Sequence, residues 1–254
     1  MCSVRFQKPP SGYELDHGQG LYRIGLLALA NDNVIERDMM SMRPDDDQVH
    51  IFVARVPFEG NVDCENLRAM ARRITEATDT LLPGGRLDSV IFGCTSGTAA
   101  IGYEGVANAI NAARPEATCV SPVTAAHAAF AALGLKHIAV LAPYTDDVTY
   151  VTVRALLEGG VEVAKVSNFG ILASNDISAV TSASIREGAI FADDPVSEGL
   201  FISCTDFRAV QVIEEVEAKI CKPVITANQA AFWQAIRMAG YDRPISGYGK
   251  LLRL

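Results

Sequence analysis

The chain has 254 residues, enough for one large or two small domains, and roughly 70–75% of the unfolded surface of such a chain is buried without a metal or disulfide staple. Hydrophobic residues make up 49% and charged residues 20%, a balance that excludes an intrinsically disordered chain. The 30 acidic residues outnumber the 22 basic ones for a formal charge of −8, and no Lys/Arg cluster interrupts them, so nucleic acid is not an expected partner.

The first segment, 1–20, holds Pro9-Pro10 and the glycines Gly12, Gly18 and Gly20 but no apolar run, so it reads as an arm and not as a secretory signal. No stretch of about 18 uncharged apolar residues follows, so no membrane span is expected. The cytoplasm is the expected compartment.

Short β-rich runs then alternate with helix-period segments. Strands are predicted at 23–29, 49–53, 88–93, 118–120, 137–141, 161–166, 199–203 and 223–226. Most are nearly continuous apolar runs, the pattern of parallel strands covered on both faces. A helix is predicted over 61–81, where Leu67, Met70, Ile74 and Leu81 share one face, and another over 206–220 through Val210, Ile213, Val216 and Ile220. Helices at 125–133 and 148–158 end at Gly134 and Gly159, the usual stop signal. Strand–helix alternation of this kind predicts an α/β fold with right-handed crossovers.

The chain also echoes itself. Ser89-Val-Ile-Phe-Gly-Cys94-Thr95 is answered by Gly199-Leu-Phe-Ile-Ser-Cys204-Thr205, each an apolar strand ending in Cys-Thr before a predicted helix, with the cysteines 110 residues apart. Two equivalent halves, each presenting one cysteine at a strand's carboxyl end, explain that spacing, and open α/β sheets bind ligands at such ends. The expected domains are the arm 1–20, a first half of 21–120 plus 227–254, and a second half of 121–226. The final segment 241–254, with Pro244 and Gly247-Tyr248-Gly249, either closes the cleft or serves a contact in a homo-oligomer.

Six cysteines are present, with no C-x-x-C pair and no nearby histidine, so neither a zinc site nor a disulfide framework is expected. Cys64, Cys119 and Cys221 read as small buried hydrophobes and Cys2 as part of the arm. Cys94 and Cys204 read differently. A cysteine between a strand and a helix N-terminus meets the positive end of the helix dipole, which draws it toward thiolate. After Cys94, the run Thr95-Ser96-Gly97-Thr98 offers backbone N–H groups and hydroxyls suited to a carboxylate, with Thr95 and Ser96 as the candidate contacts. After Cys204, Thr205 is the equivalent contact and Arg208 supplies a fork for a carboxylate. Thiols facing one bound carboxylate from two sides can do proton chemistry at its α-carbon, one as base and one as acid.

Other motifs fail. Gly93-Cys-Thr-Ser96-Gly97 misses the G-x-S-x-G elbow by one place, and neither a G-x-G-x-x-G after the first strand nor a Walker loop is present, so no nucleotide cofactor is expected. His127 reads as a packing residue on an Ala-rich helix, and Asp45-Asp46-Asp47 as a solvated turn.

At Tyr22-Arg-Ile-Gly25, Gly93-Cys94-Thr95-Ser96-Gly97, Leu141-Ala-Pro143-Tyr144, Ser203-Cys204-Thr205 and Pro223-Val-Ile-Thr-Ala-Asn228, the chain resembles the aspartate/glutamate racemase superfamily. The branch it resembles holds maleate cis-trans isomerase, arylmalonate decarboxylase and, closest, the ectoine-utilisation protein A group. The resemblance implies two α/β halves related by a pseudo-twofold, an active site in the cleft between them, and no cofactor. It implies that Cys94 and Cys204 are the catalytic pair, with Tyr144 and Asn175 as substrate contacts. Arylmalonate decarboxylases keep only the second cysteine, so Cys94 counts against that activity. Where maleate isomerases place an asparagine that donates to a substrate carboxylate, this chain has Asp32. An ionised Asp only accepts, so it disfavours a second carboxylate and welcomes a cationic nitrogen. The expectation is a two-cysteine isomerase or racemase acting on a small carboxylate, amino-bearing as an ectoine-derived substrate is. The alternatives are maleate isomerase, an arylmalonate-type decarboxylase and, outside enzymes, a two-lobed small-molecule-binding module.

Overall fold

The computed structural model describes residues 5–15, 18 and 20–254. Cys2 and part of the predicted arm lie outside the described residues. The strands are β1 (Tyr22–Leu29), β2 (Val49–Val56), β3 (Ser89–Gly93), β4 (Thr118–Val120), β5 (His137–Tyr144), β6 (Glu162–Ile171), β7 (Gly199–Ile202) and β8 (Val224–Thr226). The helices are α1 (Ile35–Met42), α2 (Cys64–Ala69), α3 (Ala71–Asp79), α4 (Thr95–Ile101), α5 (Tyr103–Asn111), α6 (Pro122–Leu133), α7 (Asp146–Leu157), α8 (Ser174–Ala179), α9 (Ser182–Ala192), α10 (Ile213–Ile220) and α11 (Ala227–Ala239).

The strands form two parallel four-stranded sheets, ordered β2-β1-β3-β4 and β6-β5-β7-β8, so the second repeats the strand order of the first. The central strands β3 and β7 are buried throughout and apolar but for Ser89, as strands with helices on both faces must be. Helix α11 crosses back to pack against α6, β3, β1 and α1. Among the described residues no helix is long and apolar enough to cross a membrane.

Four departures from the sequence reading have identifiable physical causes. β6 runs on to Ile171 because it is an edge strand with an exposed face, so the polar Ser167-Asn168 does not end it. β5 continues past Pro143 to Tyr144 through a register irregularity between Ala142 and Tyr144, where a residue without an N–H can be tolerated. The predicted helix 61–81 is two helices broken at the fully buried Met70, and it starts late. Asn61 bridges Ala173, Val62 donates to the Leu172 carbonyl, and Asp63 caps α2 by accepting from the amides of Glu65 and Asn66.

The fourth departure concerns the second cysteine. The predicted helix 206–220 begins only with a 3-10 turn at Val210–Val212, followed by α10. Three tertiary contacts hold 206–208 out of it: the Asp206 carboxylate accepts from the Asn33 amide, Phe207 packs edge-on to Phe169, and Arg208 donates to the Val180 carbonyl. Cys204 therefore does not sit at a helix N-terminus.

Candidate active site

The carboxyl ends of β1, β3, β5 and β7, the central strands of the two sheets, converge on one small cavity. Six predicted site residues are not all that line it. Asp32, Cys94, Ser96, Tyr144, Cys204 and Thr205 face it together with Asn31, Ser174 and Asp206, and Leu29, Phe58, Val62, Leu67 and Ile177 form an apolar wall.

Cys94 is the N-cap of α4. Its sulfur accepts from the Gly97 amide at 3.2 Å and its carbonyl from the Thr98 amide at 3.0 Å. Two amides predicted to greet a carboxylate thus serve the cysteine itself. A Cβ at Gly97 would stand 2.3 Å from Met70 Cε and 2.8 Å from Cys94 Sγ, so any side chain there must displace both.

Cys204 is positioned by strain and tethers. Its φ of +89° lies in the left-handed region, which costs a residue with a side chain on the order of 1–3 kcal/mol. On either side, Ser203 donates to the Leu141 carbonyl and the Thr205 hydroxyl to the Gly93 carbonyl. The Tyr144 hydroxyl lies against the Cys204 thiol and favours its thiolate form.

The prediction that helix dipoles draw both cysteines toward thiolate is corrected. Burial pushes Cys94 up to about 11 despite the Gly97 amide and Ser96 hydroxyl, and Cys204 well above its ordinary value. The charges of Asp32 and Asp206 push both thiols further the same way. In low dielectric the cost of a buried anion outweighs one turn of a seven-residue helix. Both cysteines rest as neutral thiols.

Asp206 was missed, and the repeat contained the signal. Ser96 and Asp206 each stand two residues after their cysteine, and both line the cavity. Asp32 Oδ1 accepts from the amides of Val34 and Ile35, both at 2.8 Å, and Asp206 Oδ1 accepts from Asn33. The other oxygen of each carboxyl is buried with no nitrogen donor among the described residues; the two carboxyls face each other within hydrogen-bonding reach, and the Thr205 hydroxyl lies against Asp32. Burial raises Asp32; it also raises Asp206 to about 8, with the charge of Asp32 adding to it. Two adjacent carboxyls in one dry site hold a proton between them.

Three predicted contacts do not line the cavity. Thr95 is buried behind it. Asn175 is exposed in the second position of α8, where it lines a neighbouring surface cleft; the cavity-facing residues of that helix are Ser174 and Ile177, three apart on one face. Arg208 donates to the carbonyls of Ala179 and Val180 at the end of α8, whose terminal carbonyls lack helical partners. Its fork braces the helix that carries Ser174 and Ile177.

The other cysteines divide. Cys119 is buried, Cys64 half-buried and Cys221 exposed. Cys221, predicted to be a buried hydrophobe, instead ends α10 in the left-handed region at φ +58°. His127 is a packing residue: its ring nitrogen lies 3.1 Å from the Leu156 carbonyl.

The repeated sheet order and the site at its strand ends have counterparts among solved structures. A maleate isomerase from Pseudomonas putida S16 superposes with a TM-score of 0.81 at 21% identity, covering 92% of this chain and 98% of that one. Nocardia farcinica maleate cis-trans isomerase, in a Cys-to-Ser mutant with a covalently bound succinylcysteine intermediate, gives 0.81 at 19% identity over 92% and 99%. The fold is that of the aspartate/glutamate racemase-like α/β enzymes. A family model described as arylmalonate decarboxylase matches residues 96–252, which contain Cys204 and begin just after Cys94. Arylmalonate decarboxylase of Bordetella bronchiseptica is 32% identical over 165 residues, 61% of this chain and 68% of that protein. The chain belongs to the arylmalonate decarboxylase family.

Proposed function

We propose that this chain is a cofactor-independent isomerase or racemase in which Cys94 and Cys204 act from two sides on a small carboxylate bearing a basic nitrogen. The observation that carries this reading is two buried thiols sharing one cavity with the paired carboxyls of Asp32 and Asp206, which no positively charged side chain lining that cavity neutralises. A dicarboxylate brought to that pair meets like charge. A cationic nitrogen satisfies both oxygens, and by neutralising their charge it lowers the cost of making either thiol a thiolate. As the substrate binds, one thiol releases its proton to solvent; that thiolate takes the α-proton from one face and the opposite thiol gives its own proton to the other face, leaving the two sulfurs with exchanged protonation. Ser96, Tyr144 and Thr205 face the substrate, and the apolar wall takes its side chain. An ectoine-derived amino acid is one member of the class.

Arylmalonate-type decarboxylation is the weaker reading, because the family pattern implied by resemblance has no cysteine where Cys94 stands. We assign the halves as 21–120 with 227–254, and 121–226, supported by the packing of α11 on β1 and β3, and the arm as 1–20. We further assign the cytoplasm and a homo-oligomer.

The test is a panel of amino-bearing carboxylates in D2O, with maleate beside them. Deuterium enters the α-position of the converted substrate, and Cys94→Ser and Cys204→Ser each reduce turnover by about 100-fold or more while the fold persists. Full activity in either single variant, or product without label, refutes the two-thiol racemase; fumarate formed from maleate by the wild type refutes the charge argument.

A further inference from the structure

The left-handed Cys204 raises the question of what keeps it there. Thr205, its neighbour, has its carbonyl held at 2.8 Å by Nδ2 of Asn228, the second residue of α11. The same nitrogen donates at 2.9 Å to Oδ2 of Asp38 on α1. A carboxamide nitrogen has two hydrogens, and both are used. Only the donor end of Asn228 can face two acceptors, so the orientation of its amide is fixed by chemistry. Asn228 and Asp38 are each 1% exposed, and neither lines the cavity. The second oxygen of Asp38 accepts from Arg37 at 3.1 Å. A chain of contacts thus runs from α1 through α11 to the backbone of the second cysteine loop.

We infer that Asn228 is a positioning residue for Cys204, holding it in its left-handed conformation, and that Asp38 orients the Asn228 carboxamide for that task. The sequence singled out the stretch ending in Asn228, but nothing in the thiol chemistry itself uses it. The turnover arm of the test rests on the proposed role of Cys204; the labelling arm does not.

The labelling arm follows alkylation of each cysteine by iodoacetamide, peptide by peptide, by mass spectrometry. In Asn228→Ala the freed loop relaxes toward ordinary φ and the thiol becomes less desolvated. Cys204 then alkylates about 5-fold faster or more, while Cys94 stays within about 2-fold of wild type. Equal acceleration of both cysteines marks general loosening and overturns the inference, as does no change at Cys204. In the turnover arm, Asn228→Ala lowers kcat about 10–100-fold with KM nearly constant, the signature of a misplaced reacting group. A raised KM at unchanged kcat overturns it. Should Asn228→Ala not fold, Asp38 decides: Asp38→Asn keeps an acceptor for the carboxamide and retains wild-type labelling and turnover, whereas Asp38→Ala shifts both as above. Equal behaviour of the two Asp38 variants refutes the orienting role. A fully active Cys204→Ser would remove the turnover arm alone and leave the labelling result to stand.

Discussion

Thr205 donates its hydroxyl to the carbonyl of Gly93 at 3.1 Å, tying the loop of the second cysteine to the residue before the first. The partners are 112 residues apart in sequence and both buried. Thr205→Val keeps the shape and removes the donor, leaving a buried carbonyl unpaired. The expected cost is about 1–2 kcal/mol in urea denaturation, with a larger fractional loss in turnover than in stability because the two thiols lose their common reference. Thr205→Ser, which keeps the hydroxyl, is expected to retain most of both. An unchanged denaturation midpoint in Thr205→Val would show that the tie carries no weight.

Cys221 ends α10 at φ +58°, where a glycine has no steric penalty. The side chain is exposed and its thiol makes only a long contact, 3.8 Å, to the Ala218 carbonyl. Cys221→Gly is therefore expected to stabilise the chain by about 0.5–1 kcal/mol and to leave activity untouched. A lowered melting temperature would contradict this.

Much of this architecture was legible because parallel strands announce themselves as apolar runs, and because the Cys94 and Cys204 segments repeat one pattern. Ser96 and Thr205, which the repeat singled out, both line the cavity. What it hid was tertiary. The backbone of 206–208 has helical periodicity in sequence, yet Asn33, Phe169 and Val180, far away in the chain, pull it into a loop. That same diversion brings Asp206 to the cavity and takes Arg208 away from it. The charge state of the thiols was equally out of reach, because a helix dipole is a local feature whereas desolvation depends on what the whole fold closes over the sulfur.

Asp206 makes stability depend on pH. Burial, and then the charge of Asp32, raise it to about 8, against an unfolded carboxylate near 4. Between those values the native chain holds a proton that the unfolded chain has released, so stability falls as pH rises through the window and levels off above it. Asp206→Asn cannot titrate, and its amide can donate to Asp32 while its oxygen still accepts from Asn33. The variant's advantage over wild type is expected to grow from pH 4 to pH 8, reaching on the order of 1–3 kcal/mol after allowance for solvent reaching the group. Parallel stability–pH curves for the two proteins would show that no proton is held there.

The proposed function makes Asp32 the residue that sets the sign of the charge the cavity accepts. Its Oδ1 caps the start of α1 through Val34 and Ile35, a task the Oδ1 of an asparagine performs equally well, so Asp32→Asn alters the charge and leaves the local backbone in place. The Oδ2 position becomes an N–H donor beside Asp206 at the cavity wall. An amino-bearing carboxylate loses a charged acceptor and is expected to bind about 10-fold more weakly or worse, since a hydrogen bond to a charged group contributes about 1.5–3 kcal/mol. Maleate is expected to move the other way: the Asp32 carboxyl is replaced by a donor, which leaves Asp206 as the one acid among the described residues that line the cavity. Calorimetric titration of both ligands into wild type and variant measures the crossover directly. Maleate affinity that is the same in the two proteins would show that Asp32 does not select substrate by charge.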